Sequence, residues 1–309
     1  MKVNTLVVHR NPHLDELVAV WLLRNFGEKM FPGIRAAKLE TAGKTELAQM
    51  TPEMAALSGR LLVGLGGGMF DDHKADRPDC ATSLVATHLG VRNDKKLKML
   101  VEGVYRADSA NEGLYQYLAA MVKDLNRYWG GSVDVERLYE QFEPFITAMV
   151  ARQVEFLEAQ GLVQSKYRSK IGEIKIAAAN GIDNRQFQHA ARLAGAKVII
   201  QRNEAGLTQI LGSEELDMPG LAARIRRHEL YKSNLSIRRR LTDEELTAFG
   251  TLAEIPHWYL DKGNLLNGSE SFPDTPASGI PFGDVVRIVE KHLEELLAVS
   301  APAGEQQVA

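Results

Sequence analysis

Thr5-Leu6-Val7-Val8-His9-Arg10-Asn11-Pro12-His13-Leu14-Asp15-Glu16 opens the chain's first structural unit, and the fold follows from how it is read. Thr5 to Val8 is short, apolar and β-rich, which predicts a buried strand. His9 falls at the strand's C-terminal edge. Asn11-Pro12 forces a turn, because the residue before a proline avoids the helical region. From Leu14 to Phe26 the apolar residues Leu14, Leu17, Val18, Val20, Trp21 and Leu22 predict a helix packed on a sheet, with Gly27 as its stop. Asp15 and Glu16 in the first turn gain from the helix dipole, so capping alone accounts for them. Capping does not account for two histidines within five positions.

A second stretch repeats the arrangement. Arg60-Leu61-Leu62-Val63 leads into Gly64-Leu65-Gly66-Gly67-Gly68-Met69-Phe70-Asp71-Asp72-His73. Leu61 to Leu65 predicts a strand, and the glycines after it allow unusual dihedrals and close backbone approach. A tight glycine turn with an Asp N-cap would be the purely structural explanation. Both clusters nevertheless put imidazoles and carboxylates at strand ends, where open α/β sheets bind ligands. Hard oxygen donors mixed with imidazole suit Mn²⁺, Mg²⁺ or Zn²⁺, with Mn²⁺ the first expectation.

The rest of the chain extends this pattern. A weaker strand is expected over Ile34 to Leu39 and a short helix over Ala81 to Leu89. The alternation predicts an α/β fold with a parallel, doubly wound sheet. Helical periodicity takes over from Lys95 to about Leu162, broken at Gly130-Gly131-Ser132, and predicts a helical connector. The polar, basic span Gln164 to Lys170 reads as an inter-domain link. A second, smaller α/β domain follows. It has strands over Ile174 to Ala179 and Lys197 to Gln201, a hairpin partner over Gly206 to Leu211, and helices over Phe187 to Leu193 and Met218 to Leu230. The expected division is 1–163, 170–298 and a disordered small polar tail over 299–309.

Composition narrows the class. At 309 residues, 45% of them hydrophobic, the chain has material for two cores. A net charge of −3 argues against a surface that coats nucleic acid, though not against a local basic groove. The one cysteine, Cys80, excludes an intramolecular disulfide and reads as a buried thiol in a reducing compartment. No h-region follows Met1, and no apolar run approaches the roughly 20 residues of a membrane helix. A soluble cytoplasmic protein is expected, with a homo-oligomer left open. The glycine-rich run lacks the spacing of a dinucleotide fingerprint and the Gly-Lys-Ser/Thr ending of a P-loop.

His9-x-Asn11-Pro12-His13-x-Asp15 resembles the first motif of the DHH phosphoesterase superfamily, His-x-Asn-Pro-Asp-x-Asp. Phe70-Asp71-Asp72-His73 resembles its Asp-His-His motif, Cys80 to Val85 the helix that follows, and Arg106-Ala107-Asp108-Ser109-Ala110 its fourth, aspartate-bearing motif. His13-Leu14-Asp15-Glu16, Val63-Gly64-Leu65-Gly66-Gly67 and Val122 to Trp129 resemble the melanocyte-proliferating-gene branch, a group of DHH-related RNA exonucleases. The resemblance covers the first half and fades beyond Gln164.

It implies a metal-dependent phosphodiesterase or exonuclease acting on RNA or short nucleotides through metal-activated water. His9, His13, Asp15, Asp72 and Asp108 would be the ligands. His73 would contact the phosphate or protonate the leaving group, Asp71 would orient its neighbours, and Asn11 and Asn111 would assist at the substrate. Two positions depart from the family: Gly64 stands where the branch has a bridging aspartate, and Asp72 where the first His of Asp-His-His would be. A carboxylate can replace an imidazole; glycine cannot replace a bridging carboxylate. The alternative is a catalytically silent relative that binds a nucleotide or a protein partner in the same cleft. In the second domain the basic stretch holding Arg224 and Arg227 is either a solvated helix face or a phosphate groove. Asn264-Leu265-Leu266-Asn267-Gly268-Ser269 reads as a polar turn-rich loop after Trp258-Tyr259 that could cap the cleft, although the aromatic pair is more often core.

Overall fold

The computed structural model describes residues 1–74, 79–129, 134–213, 216–233, 240–268 and 274–300, with Lys74 and Ser300 described by backbone alone. Strand β1 (Thr5–His9) runs parallel to β2 (Lys38–Ala42) on one side and β3 (Arg60–Leu62) on the other. Leu6 and Val8 pack into the core that includes helix α1 (Leu14–Phe26), while Val7 packs with Ala42, Ala55, Leu62 and Leu65. Both faces of β1 are therefore covered, which is why its sequence is a continuous apolar run. Two short helices, α2 (Lys44–Leu47) and α3 (Pro52–Leu57), lie between β2 and β3. The helical series that follows comprises α4 (Ala81–His88), α5 (Lys95–Ser109), α6 (Tyr115–Tyr128) and α7 (Val135–Ser165). The expected break at Gly130-Gly131-Ser132 lies outside the described residues.

The chain divides into two compact units, Met1–Val154 and Glu155–Ala309, and the division falls inside α7. Leu138, Tyr139, Phe142 and Ile146 of this helix belong to the first unit's core; Ala159 and Val163 belong to a core of the second. The second unit, expected as the smaller domain, carries the larger sheet. Among the described residues its seven strands are β4 (Tyr167–Ile171), β5 (Ile174–Asn180), β6 (Val198–Arg202), β7 (Thr208–Leu211), β8 (Gly250–Leu252), β9 (Ile255–Asp261) and β10 (Asn264–Leu266), ordered β4-β5-β6-β7-β10-β9-β8. Only β5 and β6 run parallel; the remaining pairs are antiparallel. Its helices are α8 (Phe187–Leu193), α9 (Met218–Lys232), α10 (Asp243–Thr247) and α11 (Phe282–Ser300).

Several expectations change. The span Gln164 to Lys170 is not a link: it finishes α7 and forms β4, an edge strand paired with β5. Its polarity is that of an exposed edge. The strand expected over Ile34 to Leu39 is a single 3₁₀ turn at Ile34–Ala36 followed by β2, because Gly33 at φ +91° turns the chain first. β3 ends at Leu62, earlier than expected. Val63 makes one isolated bridge to Phe70, and Gly64, Gly66 and Gly67, all at positive φ, turn the chain between them. Asn264 to Leu266 is strand, not loop, and Trp258 is fully buried in β9. Among the described residues no helix is long and apolar enough to cross a membrane.

Two buried charged residues of α9 organise the second unit. Arg226 donates to the carbonyls of Leu246, Ala248 and Gly250 at 2.6–2.8 Å, and more weakly to that of Trp258 at 3.4 Å. Burial lowers its pKa to about 10. Glu229 accepts from the Trp258 indole and from the Gly279 N–H, each at 2.7 Å. Without the guanidinium, Arg226→Ala leaves several carbonyls short of a donor, at about 1–3 kcal/mol for each group that stays buried. The variant is expected to lose at least about 3 kcal/mol of unfolding free energy. Urea titration followed by Trp258 fluorescence in a Trp21→Phe, Trp129→Phe background would measure it, and a loss under about 1 kcal/mol would show that water replaces the guanidinium.

Candidate functional site

A cleft of about 500 Å³ opens beside the C-terminal ends of the parallel strands. His9 comes from the end of β1, Ala42 and Gly43 from the end of β2, and Gly64 from the turn after β3. His13, Asp15 and Glu16 stand at the start of α1. Asp72 and His73 follow the glycine turn, and Asp108 lies in the last turn of α5. Residues from four distant segments thus share one hollow at the sheet edge where open α/β sheets bind ligands.

The loop between β1 and α1 is tied down at several points. The Glu16 carboxylate is buried. Its Oε1 accepts the His9 backbone N–H at 2.8 Å and lies 3.0 Å from His9 Nδ1, and its Oε2 accepts the His13 N–H at 2.8 Å. Asn126 of α6 donates to the Pro12 carbonyl at 2.8 Å, and the Thr82 hydroxyl donates to the Asp15 carbonyl at 2.5 Å. Across the cleft Asp71 has a similar part. Gly67 N–H donates to its Oδ2 at 2.6 Å, and its Oδ1 accepts the His73 N–H and faces His73 Nδ1, each at 3.0 Å. The two imidazoles approach edge to face, with centroids 5.9 Å apart.

Electrostatics separates these groups. Asp15 is pushed well above the usual carboxylate range, first by burial and then by the charges of Glu16, Asp108 and Asp72. Asp72 and Asp108 are raised too, burial again leading. Asp71 goes the other way: burial opposes it, but hydrogen bonds from Gly67, the His73 N–H and the His73 ring hold it low. His9 is raised, chiefly by its bond to Glu16. Ligand-capable atoms cluster most tightly in two groups, His13-Asp15-Glu16 and Asp71-Asp72-His73, each within 4.8 Å. His9 and Asp108 line the cleft but belong to neither group.

Asn11 also lines the cleft, whereas Asn111 does not. Asn111, at φ +53°, follows the C-cap of α5, and the Glu112 N–H bonds back to the Arg106 carbonyl. The second unit's expected binding residues have other partners. Arg224 pairs with Glu295 and Arg227 with Asp243, as befits a solvated helix face. Asn267 is buried and donates to the carbonyls of His257 and Pro276 at 2.6 and 2.7 Å, bracing the turn from within. Gly268 is buried at φ +77° against Leu207, and Ser269 lies outside the described residues. Cys80 is buried, and burial pushes its thiol up to about 12. Sequence reading missed three charged residues of the cleft: Glu16, taken for a dipole acid, and Arg10 and Lys44, which add positive charge to its wall. Only the Glu16 spacing, three residues after the N-cap, carried a signal.

A scan against protein-family profiles finds no match, and no curated protein matches. Among solved structures the chain is similar to a pGpG-specific phosphodiesterase, PggH of Vibrio cholerae, at 11% identity over 96% of this chain and 99% of that one, with a TM-score of 0.33. It is also similar to an uncharacterized protein from Helicobacter pylori G27, at 11% identity over 94% and 99% of the two chains, with a TM-score of 0.26. Neither likeness is close enough to carry an argument about fold or function.

The raised Asp15 gives a sign that can be tested. In metal-free protein its folded pKa exceeds the unfolded one, so the folded state holds the proton longer. Its penalty is absent below the unfolded carboxylate pKa and grows as pH rises from there through the raised value. In chelator, Asp15→Asn is expected to melt like the wild type near pH 4 and at least about 2 °C higher near pH 7.5, as relief of about 1 kcal/mol would give. A variant that melts below the wild type at pH 7.5 would contradict the buried repulsion.

Proposed function

We propose that the chain is a metal-dependent phosphoesterase of the DHH kind, with a doubly wound first domain, acting as a phosphodiesterase or exonuclease on RNA or short nucleotides. One observation carries the reading: imidazoles and carboxylates from three separate segments line one cleft that also holds Arg10 and Lys44. The donor set fits a hard divalent cation, Mn²⁺ first and Mg²⁺ or Zn²⁺ after it. Buried Asp15, half-buried Asp72 and Asp108 at the cleft's open side are crowded and repel one another, and a cation would relieve that. His9, His13, Asp15, Asp72 and Asp108 would hold the ion, which when bound supplies Lewis-acid and water-activating chemistry.

The chain's own groups would do the rest. Asp71 fixes His73 through Nδ1, so Nε2 is the atom that would hold the proton destined for the leaving oxygen. Arg10 and Lys44 would bind non-bridging phosphate oxygens, and Asn11 would hydrogen-bond to the substrate. A cytoplasmic setting agrees with the single buried Cys80. A second reading, a silent relative that binds a nucleotide or protein partner in this cleft, draws support from Gly64, which has no carboxylate to offer there.

Hydrolysis of bis-p-nitrophenyl phosphate and of a short oligoribonucleotide, with Mn²⁺ and with chelator, distinguishes the two. Mn²⁺-dependent turnover is expected, with Asp108→Ala reduced to background. Lys44→Ala is expected to raise KM for the oligonucleotide several-fold while leaving kcat nearly unchanged. Mn²⁺ binding with no turnover of either substrate would favour the silent relative, and failure to bind Mn²⁺ would sink the hydrolase.

A further inference from the structure

We infer that Glu16 is a positioning residue that fixes the His9 ring for metal binding, and that residue 64 is glycine because Glu16 fills the space beside it. The inference rests on the metal-binding reading above and gives a role to Glu16, which that reading leaves unused. The part of Glu16 in the capping box at the start of α1 needs only the bond from the His13 N–H. The other oxygen does something capping does not require: it takes the His9 backbone N–H at 2.8 Å and faces His9 Nδ1 at 3.0 Å. A carboxylate oxygen only accepts, so in neutral His9 the proton sits on Nδ1 and the Nε2 lone pair is left for a cation. Carboxylates behind ligand histidines set tautomer and ring orientation in this way.

Gly64 completes the argument. A Cβ built there would lie 3.0 Å from Glu16 Cγ and 3.3 Å from both Cδ and Oε1, at φ +74°. Glu16 has little freedom to retreat, since three donors on two backbone segments hold it and its side chain is 3% exposed. Residues 16 and 64 therefore share one hollow: a side chain at 64 would need Glu16 to give by a few tenths of an ångström, on top of the strain that φ +74° puts on any residue but glycine. Glutamine would not substitute for Glu16. Its one carbonyl oxygen can serve His9 or His13, and its amide nitrogen would then meet an N–H on the other side.

The test uses the full-length protein, stripped with chelator and titrated with Mn²⁺ by calorimetry, together with ¹⁵N-coupled NMR of the His9 ring. We expect Nδ1-protonated His9 in the wild type and Mn²⁺ affinity about 10–100-fold lower in Glu16→Gln. We also expect Gly64→Ala to lower the melting temperature more in the wild type than in a Glu16→Ala background, where the hollow is empty. The NMR measurement needs no variant, so it stands even if Glu16→Gln folds poorly. Protonation of His9 at Nε2, unchanged Mn²⁺ affinity in Glu16→Gln, or an equal cost of Gly64→Ala in both backgrounds would overturn the inference. A wild type that binds no Mn²⁺ while showing the expected tautomer and coupling would instead remove the metal reading and leave the Glu16–Gly64 relation standing.

Discussion

Where β1 gives way to α1, one buried carboxylate holds both ends of the loop. Glu16 bonds to the last residue of the strand and to the N-cap of the helix, so the intervening residues Arg10 to Pro12 are fixed by their flanks. Pro12 has no N–H of its own to contribute, and its carbonyl is secured from α6 by Asn126. The spacing of His9, His13 and Asp15 is therefore a property of the scaffold and not of a mobile loop. Sites built on elements held this firmly keep their geometry when a ligand arrives.

The charge arrangement is costly to the protein when nothing positive is present. Three carboxylates, each raised by burial and by its neighbours, are held within one cleft. A fold built for stability alone would disperse them. Arg10 lies on the cleft wall, but its guanidinium reaches Glu46 at 3.4 Å, outside the acidic cluster. Lys44 also lines the cleft and Lys123 draws Asp108 down, yet all three carboxylates stay raised, whereas the structural acid Glu229 is fully supplied with hydrogen-bond donors.

Much of the first unit could be read from residues alone, because β1 is buried on both faces and α1 is continuously apolar from Leu17 to Leu23, with a glycine stop. The convergence of His9, His13, Asp15, Asp72 and His73 on one cleft was also legible, since strand ends and a helix start put them at the same edge, while Asp108, in the last turn of α5, was legible only through the family resemblance. Register was not. Whether β2 begins at Ile34 or Lys38 depends on pairing with β1, which no local pattern encodes. The second unit was harder still. Arg226, Asn267 and Gly268 look like surface chemistry in sequence, yet each is buried and satisfied by carbonyls or packing that only the antiparallel sheet brings near. A polar edge strand such as β4 resembles a linker because both are hydrophilic. Glu16 was missed for a related reason: its carboxylate has a conventional role at the helix start, and the second role depends on His9 lying seven residues earlier in the strand.

The 31 residues of α7 belong to two cores in succession. Any attempt to express either half separately must therefore decide what to do with this helix. Ending a fragment at Val154 would sever the helical hydrogen-bond ladder and expose carbonyls that had donors four residues on. Beginning one at Glu155 would leave Phe156, Ala159 and Val163 on a stub of three turns, short of the length at which an isolated helix holds together in water. Fragment boundaries that respect the molecule would give each half its own copy of the segment from Val135 to Ser165.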